Sequence, residues 1–234
     1  MTIKHISFDF YNTFATPNPT FAKERNDLLA NLFGLTDDEI KKIYKTLKDF
    51  YDSCAAQDGV AGTPILAWSS FLDVLNENFD SMDAWQITSP VAIYNDVAEL
   101  FVQYPPSLAP NIETLLDRLS QDNITFSITS NTNFVGGYVL DQVIYDMLIN
   151  VSPDQWFTLY SDDVGVSKPH RIIFETMFST LNLARRDVQK SEVLHVGDMQ
   201  ETDIVGAEQF GINALLISNP DELVEKVGAY LNDA

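Results

Sequence analysis

Polar side chains follow four short apolar segments of this 234-residue chain, at the point where each segment ends. They are Asp9, Tyr11 and Thr13 after the first segment, Ser130 and Asn131 after the second, Lys168 beyond the third, and Asp198 and Asp203 after the fourth. Each one alone can be interpreted as a turn, a helix start or a solvated charge. Because ligands of open parallel sheets bind at the carboxyl ends of the strands, their joint occurrence in this order favours a single site.

Three of these residues are carboxylates, and their chemistry points to a cation. Asp9, Asp198 and Asp203 would repel one another strongly if they met without one. Hard oxygen ligands of this kind suit Mg²⁺, which leaves coordination positions for a substrate phosphate. Lys168 adds positive charge, and hydroxyl and backbone N–H groups can donate to phosphoryl oxygens. A carboxylate facing a phosphoryl group neutralised in this way is arranged for nucleophilic attack and an aspartyl-phosphate intermediate.

The elements that hold these side chains follow from the hydrophobic periodicity. From Thr20 to about Tyr104 the pattern is helical, with a capping box at Thr36 and Glu39 and a helix opened by Pro64. After residue 105, strands alternate with helices, which predicts a parallel sheet covered on both faces. We expect strands at 3–8, 124–129, 156–160, 193–196 and 214–217, and helices at 110–119, 134–148, 171–181, 203–210 and 221–231.

The first strand cannot be stable alone and must pair with the later set. The fold class is therefore α/β: a three-layer α/β/α, Rossmann-like parallel sheet with an inserted all-helical region. We predict a core domain of residues 1–15 and 105–234 and a helical insertion of residues 16–104.

Composition narrows the possible partners. The chain has 34 acidic against 14 basic residues and a formal net charge of −20, which argues against nucleic acid and anionic membranes as partners. Its single cysteine, Cys54, suits a reducing compartment, and no apolar run is long enough for a signal peptide or a membrane span. We expect a soluble cytoplasmic protein; the oligomeric state is not readable.

The same residues carry a resemblance. Asp9 to Thr13, Ser130-Asn131, Lys168-Pro169 and the passage from Gly197-Asp198 to Asp203 resemble the four motifs of the haloacid dehalogenase (HAD) superfamily of hydrolases. The most specific part is the stretch Val-Gly-Asp-Met-Gln-Glu-Thr-Asp-Ile-Val-Gly-Ala at 196–207. The resemblance covers about residues 1–15 and 105–234, and the insertion at 16–104 resembles the family's helical cap, which usually contributes substrate specificity. We call residues 16–104 the cap.

The resemblance also implies roles. Asp9 would be the nucleophile, Thr13 and Ser130 would bind the transferred group, and Lys168 would stabilise the intermediate. Asp198, with Asp203 behind it, would hold Mg²⁺ together with Asp9 and the Tyr11 carbonyl. Tyr11 and Asn131 would contact a small phosphorylated substrate.

Tyr11 departs from the family's phosphatases, which typically have a second aspartate at this position as general acid and base. A neutral phenol with a pKa of about 10 is a poor base at neutral pH. The superfamily's 2-haloacid dehalogenases resemble the chain more closely here, because they also have tyrosine. They lack the Gly-Asp metal motif, however, which is intact at Gly197-Asp198, and they use a cap arginine to bind the substrate. Arg25 is a candidate for that role, but its pattern favours a solvent-facing residue.

Three hypotheses therefore stand: a Mg²⁺-dependent phosphohydrolase, which we favour, a metal-independent dehalogenase, and a non-catalytic binding protein. For the remaining polar residues we expect structural roles. His5 and His195 lie inside strands and are expected in the core, and Asp162 and Asp163 are expected to be solvated loop charges.

Overall fold

The central sheet is parallel and has β1 at its centre. The structure, a computed structural model, describes residues 2–79, 83–185 and 187–233. Within this part of the chain the strands are β1 (His5–Phe8), β2 (Ala15–Thr16), β3 (Ser107–Leu108), β4 (Thr125–Ser130), β5 (Trp156–Tyr160), β6 (Val193–Gly197) and β7 (Asn213–Leu216). Five of them form the sheet in the order β5–β4–β1–β6–β7. The chain moves from one side of β1 to the other between β5 and β6, so the carboxyl end of β1 is the topological switch point.

A helical region is inserted between β2 and β3. Its described helices are α1 (Pro19–Phe33), α2 (Asp37–Asp58), α3 (Pro64–Asn78), α4 (Ala84–Ile87) and α5 (Pro90–Gln103). Strands β2 and β3 pair as an antiparallel ribbon, so the chain leaves the sheet region and returns to it at one place. The helical pattern of this region is thereby confirmed for the described residues. The predicted boundaries of the cap lie at this ribbon, and its status as a separate domain stays a prediction.

The start of α2 shows why the sequence pattern was informative. Thr36 Oγ1 accepts a hydrogen bond from the Glu39 backbone N–H, and the Glu39 carboxylate accepts from the Thr36 N–H. This reciprocal capping satisfies two N–H groups that have no partner inside the helix. The capping box expected at these two residues is confirmed.

Helices cover both faces of the sheet. They are α6 (Ile112–Gln121), α7 (Gly137–Met147), α8 (Ser161–Val164), α9 (Arg171–Ala184), α10 (Gly206–Phe210) and α11 (Leu223–Asp233). Val193 packs in a cluster with Phe174 and Phe210 of α9 and α10, whereas the next residue, Leu194, packs in the larger cluster that includes α6 and α11. Consecutive side chains of a strand point to opposite faces. The predicted three-layer α/β/α arrangement is therefore confirmed.

Two predicted helices beside the carboxyl edge of the sheet begin three residues away from their expected starts. The helix predicted from residue 134 starts at Gly137, because the preceding residues form the loop that follows β4. The helix predicted from residue 203 starts at Gln200 with a wide π-type turn, in which the Asp203 side chain accepts a hydrogen bond from the Met199 N–H at 3.0 Å. Both differences occur next to the carboxyl edge of the sheet. Hydrophobic periodicity does not register such local hydrogen bonds.

Candidate active site

The structure brings most of the predicted site residues together at the carboxyl edge of the sheet. They line a cavity of about 260 Å³, whose polar lining includes Asp9, Ser130, Lys168, Asp198 and Asp203. Asp9 follows β1, Ser130 ends β4, and Asp198 follows β6. Three neighbouring strands thus deliver their end residues to one place, as a switch point requires.

Lys168 is the electrostatic centre of the cavity. The residue is 1% exposed, and its Nζ lies 2.6 Å from Asp9 Oδ1 and 2.7 Å from Asp203 Oδ1. Because the ammonium group is buried between two carboxylates, their attraction is screened little by water. The pKa of Lys168 lies above its ordinary value, since the two carboxylates outweigh the effect of burial.

The pKa values of the three carboxylates shift in different directions in this environment. Burial raises the pKa of Asp9 to about 7, with Lys168 opposing the rise and Asp203 and Asp198 adding to it. Burial, followed by the charge of Asp203, also raises the pKa of Asp198. Burial acts in the same direction on Asp203, but Lys168 and His195 outweigh it and hold its pKa below the ordinary range. Asp203 is therefore the firmly ionised member of the cluster.

The donor set fits a divalent cation. Asp9, Asp198 and Asp203 each offer a carboxylate oxygen, and these oxygens all lie within 4.8 Å of one another. Three carboxylates face one lysine, so the cluster has an excess of negative charge that a cation would neutralise. Hard oxygen ligands together with room for water and substrate are what Mg²⁺ prefers. The predicted ligand role of the Tyr11 carbonyl stays a prediction.

Gly197 makes this arrangement possible. A Cβ atom at this position would lie 2.3 Å from Asp203 Cγ and 2.5 Å from Asp203 Cβ. The Asp203 side chain cannot move aside without losing its contacts with Lys168 and His195. The glycine of the Gly-Asp pair is thus required for close approach rather than for an unusual backbone angle.

Asn131 holds the lysine loop. Its Nδ2 donates to the Lys168 carbonyl at 3.0 Å, and its Oδ1 accepts from the Lys168 N–H at 2.7 Å. Both polar atoms of the amide therefore contact the backbone of Lys168. The structure gives Asn131 a role in placing Lys168, and the substrate contact expected for it stays a prediction.

The two predicted hydroxyl groups differ in their surroundings. Ser130 lines the cavity, and its hydroxyl donates to the carbonyl of Asn131 at 3.3 Å. Thr13 is fully buried, is not part of the cavity lining, and has an Oγ1 atom without a hydrogen-bond partner among the described residues. Contact of either hydroxyl with a transferred group stays a prediction.

Tyr11 lies between this cavity and a second one. It lines both, and its ring packs edge-on against Phe10 at 4.9 Å between centroids. Burial, together with the nearby Tyr44 and Asp9, raises the pKa of the Tyr11 phenol above its ordinary value. At neutral pH it is a hydrogen-bond donor and not a base.

The second cavity, of about 310 Å³, lies under the cap and corrects the expectation for Arg25. Arg25 is 7% exposed, so the prediction of a solvent-facing side chain was wrong. Its guanidinium stacks 3.5 Å from the centre of the Tyr44 ring, and its Nε and Nη2 donate to Asn26 Oδ1. Helix periodicity marks a polar face, but it does not show that this face covers a cavity beside the sheet.

The cap touches the loop that carries Lys168 directly. The Ser167 N–H donates to the Gly59 carbonyl at 2.9 Å, immediately before Lys168. Lys48 and Asp52 of α2 form an ion pair that lines both cavities. The cap is therefore in a position to select what reaches Asp9.

Two polar residues near the site make contacts that the sequence did not predict. His195, expected only as a core residue, lies 3.2 Å from Asp203 Oδ1, and burial lowers its pKa. Asp162, expected to be a solvated charge, accepts hydrogen bonds from Thr132 Oγ1 at 2.6 Å and from the Gly137 N–H at 3.1 Å, which orders the loop after β4. Asp163 is exposed, as expected. A single polar residue inside the otherwise apolar strand β6 is the sequence signal that could have identified His195.

Comparison with known proteins identifies the family. A family model described as haloacid dehalogenase-like hydrolase matches residues 3–211. The chain belongs to this family of hydrolases. The resemblance to the superfamily is thereby confirmed, and membership of a family of hydrolases makes the protein an enzyme.

Named relatives include two kinds of HAD enzyme. A ribulose-1,5-bisphosphate 5-phosphatase of Halopiger xanaduensis is 30% identical over 117 residues, which make up 50% of this chain and 44% of that protein. The match thus spans less than half of the length of that relative. A solved 2-haloacid dehalogenase of Pseudomonas syringae pv. tomato has a TM-score of 0.60 at 20% identity and covers 98% of this chain and 100% of its own.

A third solved structure has magnesium bound. The HAD-hydrolase YfnB of Bacillus subtilis has a TM-score of 0.68 at 18% identity and covers 99% of this chain and 100% of its own. At these identities the structural similarity shows the fold alone. Phosphatases and dehalogenases share this fold, so the two activities have to be distinguished by the chemistry of the site. Among the residues that the structure describes, no helix of this HAD-like hydrolase is long and apolar enough to span a membrane.

Proposed function

We propose that the protein is a Mg²⁺-dependent phosphohydrolase that acts on a small phosphorylated metabolite through an aspartyl-phosphate intermediate at Asp9. The observation that carries the proposal is the position of Lys168, 2.6 Å from Asp9 Oδ1 within a cluster of three carboxylates. A nucleophilic carboxylate that lies beside a lysine and two further carboxylates suits an anionic phosphoryl group, because a divalent cation bound by the carboxylates would help to neutralise that group.

In the first step, an Asp9 oxygen attacks phosphorus, and the bond from phosphorus to the leaving oxygen breaks. Lys168 keeps Asp9 oriented and offsets the charge of the incoming phosphoryl oxygens. In the second step, water attacks the phosphorus of the aspartyl-phosphate, which releases phosphate and restores Asp9. Mg²⁺, held by Asp9 and Asp198 with Asp203 behind them, would supply charge neutralisation when bound.

Tyr11 limits both steps. Its phenol can donate a hydrogen bond to the leaving oxygen, but it cannot deprotonate the attacking water at neutral pH. Substrates whose leaving group departs without a proton, such as acyl phosphates, are therefore favoured over alkyl phosphates.

The cap, as a proposed domain of residues 16–104, would select the substrate. It contributes Arg25, Tyr44 and Lys48 to the cavity that adjoins Asp9. The name of the ribulose-bisphosphate phosphatase relative supports a small phosphorylated substrate. The net charge of −20 supports neither nucleic acid nor an anionic membrane as a partner, and we propose a cytoplasmic location.

A 2-haloacid dehalogenase is the second candidate, and one observation favours it. Arg25 is buried in the cavity that Tyr11 lines, where it is available to a substrate carboxylate. The intact carboxylate cluster favours the phosphohydrolase instead, because a halide leaving group needs neither a metal nor a proton.

The test measures turnover of acetyl phosphate, p-nitrophenyl phosphate and L-2-chloropropionate, each with Mg²⁺ and with a chelator. We expect Mg²⁺-dependent release of phosphate and no release of chloride. Asp9→Asn should lower turnover by roughly 10³-fold or more, because it removes the nucleophile. Asp163→Asn, which changes an exposed carboxylate, is the matched control and should retain activity. Chloride release that is insensitive to chelation would establish the second candidate.

A further inference from the structure

His195 is a fully buried titratable residue that the proposed mechanism does not use. It lies in β6, two residues before the Gly197-Asp198 turn, and its ring packs edge-on against Phe174 at 5.3 Å between centroids. Its two ring nitrogens have different neighbours. Nε2 lies 3.2 Å from Asp203 Oδ1, and Nδ1 lies 3.0 Å from Ser7 Oγ in the adjacent strand β1.

The neighbours determine which nitrogen carries the proton. Asp203 is a carboxylate and can only accept, so Nε2 must donate. On the other side of the ring, Nδ1 contacts the Ser7 hydroxyl, which is itself held by donating to Thr129 Oγ1 at 3.0 Å. Ser7 is itself fully buried. The ring of His195 is thus held in its orientation by a residue of β1, the strand that delivers Asp9.

Asp203 has a complete set of protein donors. Its Oδ1 accepts from Lys168 at 2.7 Å and from His195, and its Oδ2 accepts from the Met199 N–H at 3.0 Å. Lys168 in turn lies between Asp203 and Asp9. A rotation of the Asp203 carboxylate would therefore move the lysine away from Asp9.

We infer that His195 is a positioning residue of the active site: with its ring oriented by Ser7, it fixes the Asp203 carboxylate and through it the placement of Lys168 against Asp9. The inference rests on the proposed function of Asp9. Groups that orient charged site residues in this way are typically worth about 10- to 100-fold in activity or metal affinity.

The chain offers a matched control in His5. It is fully buried in the same sheet, at the other end of β1, and its ring nitrogens contact Thr125 Oγ1 at 2.9 Å and Ser127 Oγ at 3.0 Å. None of these contacts reaches Asp203. Substitution of His5 therefore tests the loss of a buried histidine without a change at the site.

The experiment compares His195→Leu, His195→Gln and His5→Leu in the full chain. For His195→Leu we expect kcat for acetyl phosphate to fall about 10- to 100-fold with little change in KM, and Mg²⁺ affinity, measured by calorimetry without substrate, to fall about 10-fold. His195→Gln retains a donor at about the reach of Nε2 and should recover much of both losses. His5→Leu should lower the melting temperature yet leave kcat and Mg²⁺ affinity within about 2-fold of wild type. Equal effects of His195→Leu and His5→Leu on kcat and Mg²⁺ affinity would overturn the inference.

A second measurement remains decisive even if His195→Leu does not fold. In a nitrogen–carbon correlation spectrum of histidine-labelled protein, the His195 signal should show a proton on Nε2 in wild type. Ser7→Ala should lower kcat about 10-fold, because it removes the contact that orients the ring. Absence of a proton on Nε2 in wild type, or full activity of Ser7→Ala, would contradict the inference. Failure of the wild type to release phosphate would instead contradict the proposed function, because the tautomer is measured without turnover.

Discussion

At the scale of single residues, we propose that Tyr11 determines which phosphate esters the enzyme can hydrolyse. By the resemblance of the first motif, Tyr11 stands where family phosphatases typically have an acid/base aspartate, and burial, with Tyr44 and Asp9 nearby, raises the pKa of its phenol. It lines the cavity of Asp9 and also the cavity under the cap. Its chemistry should therefore be visible in the choice of leaving group.

We predict that Tyr11→Asp improves the hydrolysis of alkyl phosphates more than that of acyl phosphates. The carboxylate would protonate the leaving oxygen and deprotonate the attacking water, and such assistance is typically worth about 10²- to 10⁴-fold. The measurement is the dependence of kcat/KM on the pKa of the leaving group, which should become flatter.

The control for this variant is Tyr11→Phe, which removes the phenolic hydroxyl and supplies no acid. It should keep the steep leaving-group dependence of the wild type. Folding and Mg²⁺ binding of both variants are measured first, because loss of the ring would open a void under the cap. A well-folded Tyr11→Asp with an unchanged slope would show that residue 11 does not reach the leaving oxygen.

At the scale of elements, the turn after β6 holds the site together by close packing. Gly197 leaves room for the Asp203 side chain, which bonds to Lys168 and His195. The turn, the π-type segment and the lysine loop are therefore coupled through one carboxylate. A single added methyl group should disturb all three.

We predict that Gly197→Ala lowers the free energy of unfolding by about 1–3 kcal/mol, as overpacking of a filled site does. It should also reduce the stabilisation by Mg²⁺, because Asp203 is displaced. Chemical denaturation with and without Mg²⁺ measures both effects.

Gly228→Ala provides the comparison. Gly228 lies in α11, where an added Cβ would lie 3.7 Å from Arg118 Nη1, an ordinary van der Waals contact. Alanine in a helix should raise stability by up to about 1 kcal/mol and leave the Mg²⁺ effect unchanged. Equal behaviour of the two alanine variants would show that position 197 has no special packing requirement.

At the scale of the whole molecule, charge connects metal binding to stability. The chain carries a net charge of −20, and the site concentrates three carboxylates around one lysine. A ligand that binds only the folded state stabilises it by mass action, by about 2.7 kcal/mol at a hundredfold excess over Kd. Metal binding should therefore be measurable without a substrate.

We predict that millimolar Mg²⁺ raises the melting temperature of the wild type and that Asp198→Asn abolishes most of this rise. Without metal, the same substitution should raise stability slightly, because it removes one of three neighbouring negative charges. The measurement is thermal unfolding of both proteins with Mg²⁺ and with a chelator. We expect the wild type to melt at the higher temperature with Mg²⁺ and the variant to melt at the higher temperature with the chelator. A wild-type melting temperature that ignores Mg²⁺ would count against the metal site.

Protonation of the core gives a second prediction at this scale. Burial, with a contribution from Arg185, lowers the pKa of His5 from 6.5 to about 3. The unfolded state takes up this proton below about pH 6.5, whereas the folded state takes it up only near pH 3. The contribution of His5 to the free energy of unfolding is therefore fully present above about pH 6.5 and decreases as the pH falls. The slope is at most about 1.4 kcal/mol per pH unit.

The measurement is urea unfolding of wild type and His5→Gln at several pH values between about 7 and 4. The difference in stability between the two proteins isolates His5 from the other titrating groups. It should shrink or change sign as the pH falls. Parallel curves would show that His5 does not contribute to the pH dependence.

Much of this molecule could be predicted from the sequence because the information is local. Apolar periodicity placed the strands and helices within a few residues, and the Thr36–Glu39 pair marked the start of α2. The parallel sheet then required Asp9 and Asp198 to meet, since the ends of neighbouring parallel strands lie at one edge. The family followed from the motifs at those ends.

The sequence alone thus determined the fold class, the family and the set of polar groups at the sheet edge. Only the tertiary structure decided how those groups contact one another: that Arg25 of the cap is buried beside the cavity of Tyr11, that Asn131 bonds to the backbone of Lys168, and that His195 contacts Asp203. The physical reason is that periodicity and motif spacing report which face of an element is apolar. A hydrogen bond between polar atoms depends on ångström-scale packing between elements that are far apart in the chain, and no local pattern encodes that distance.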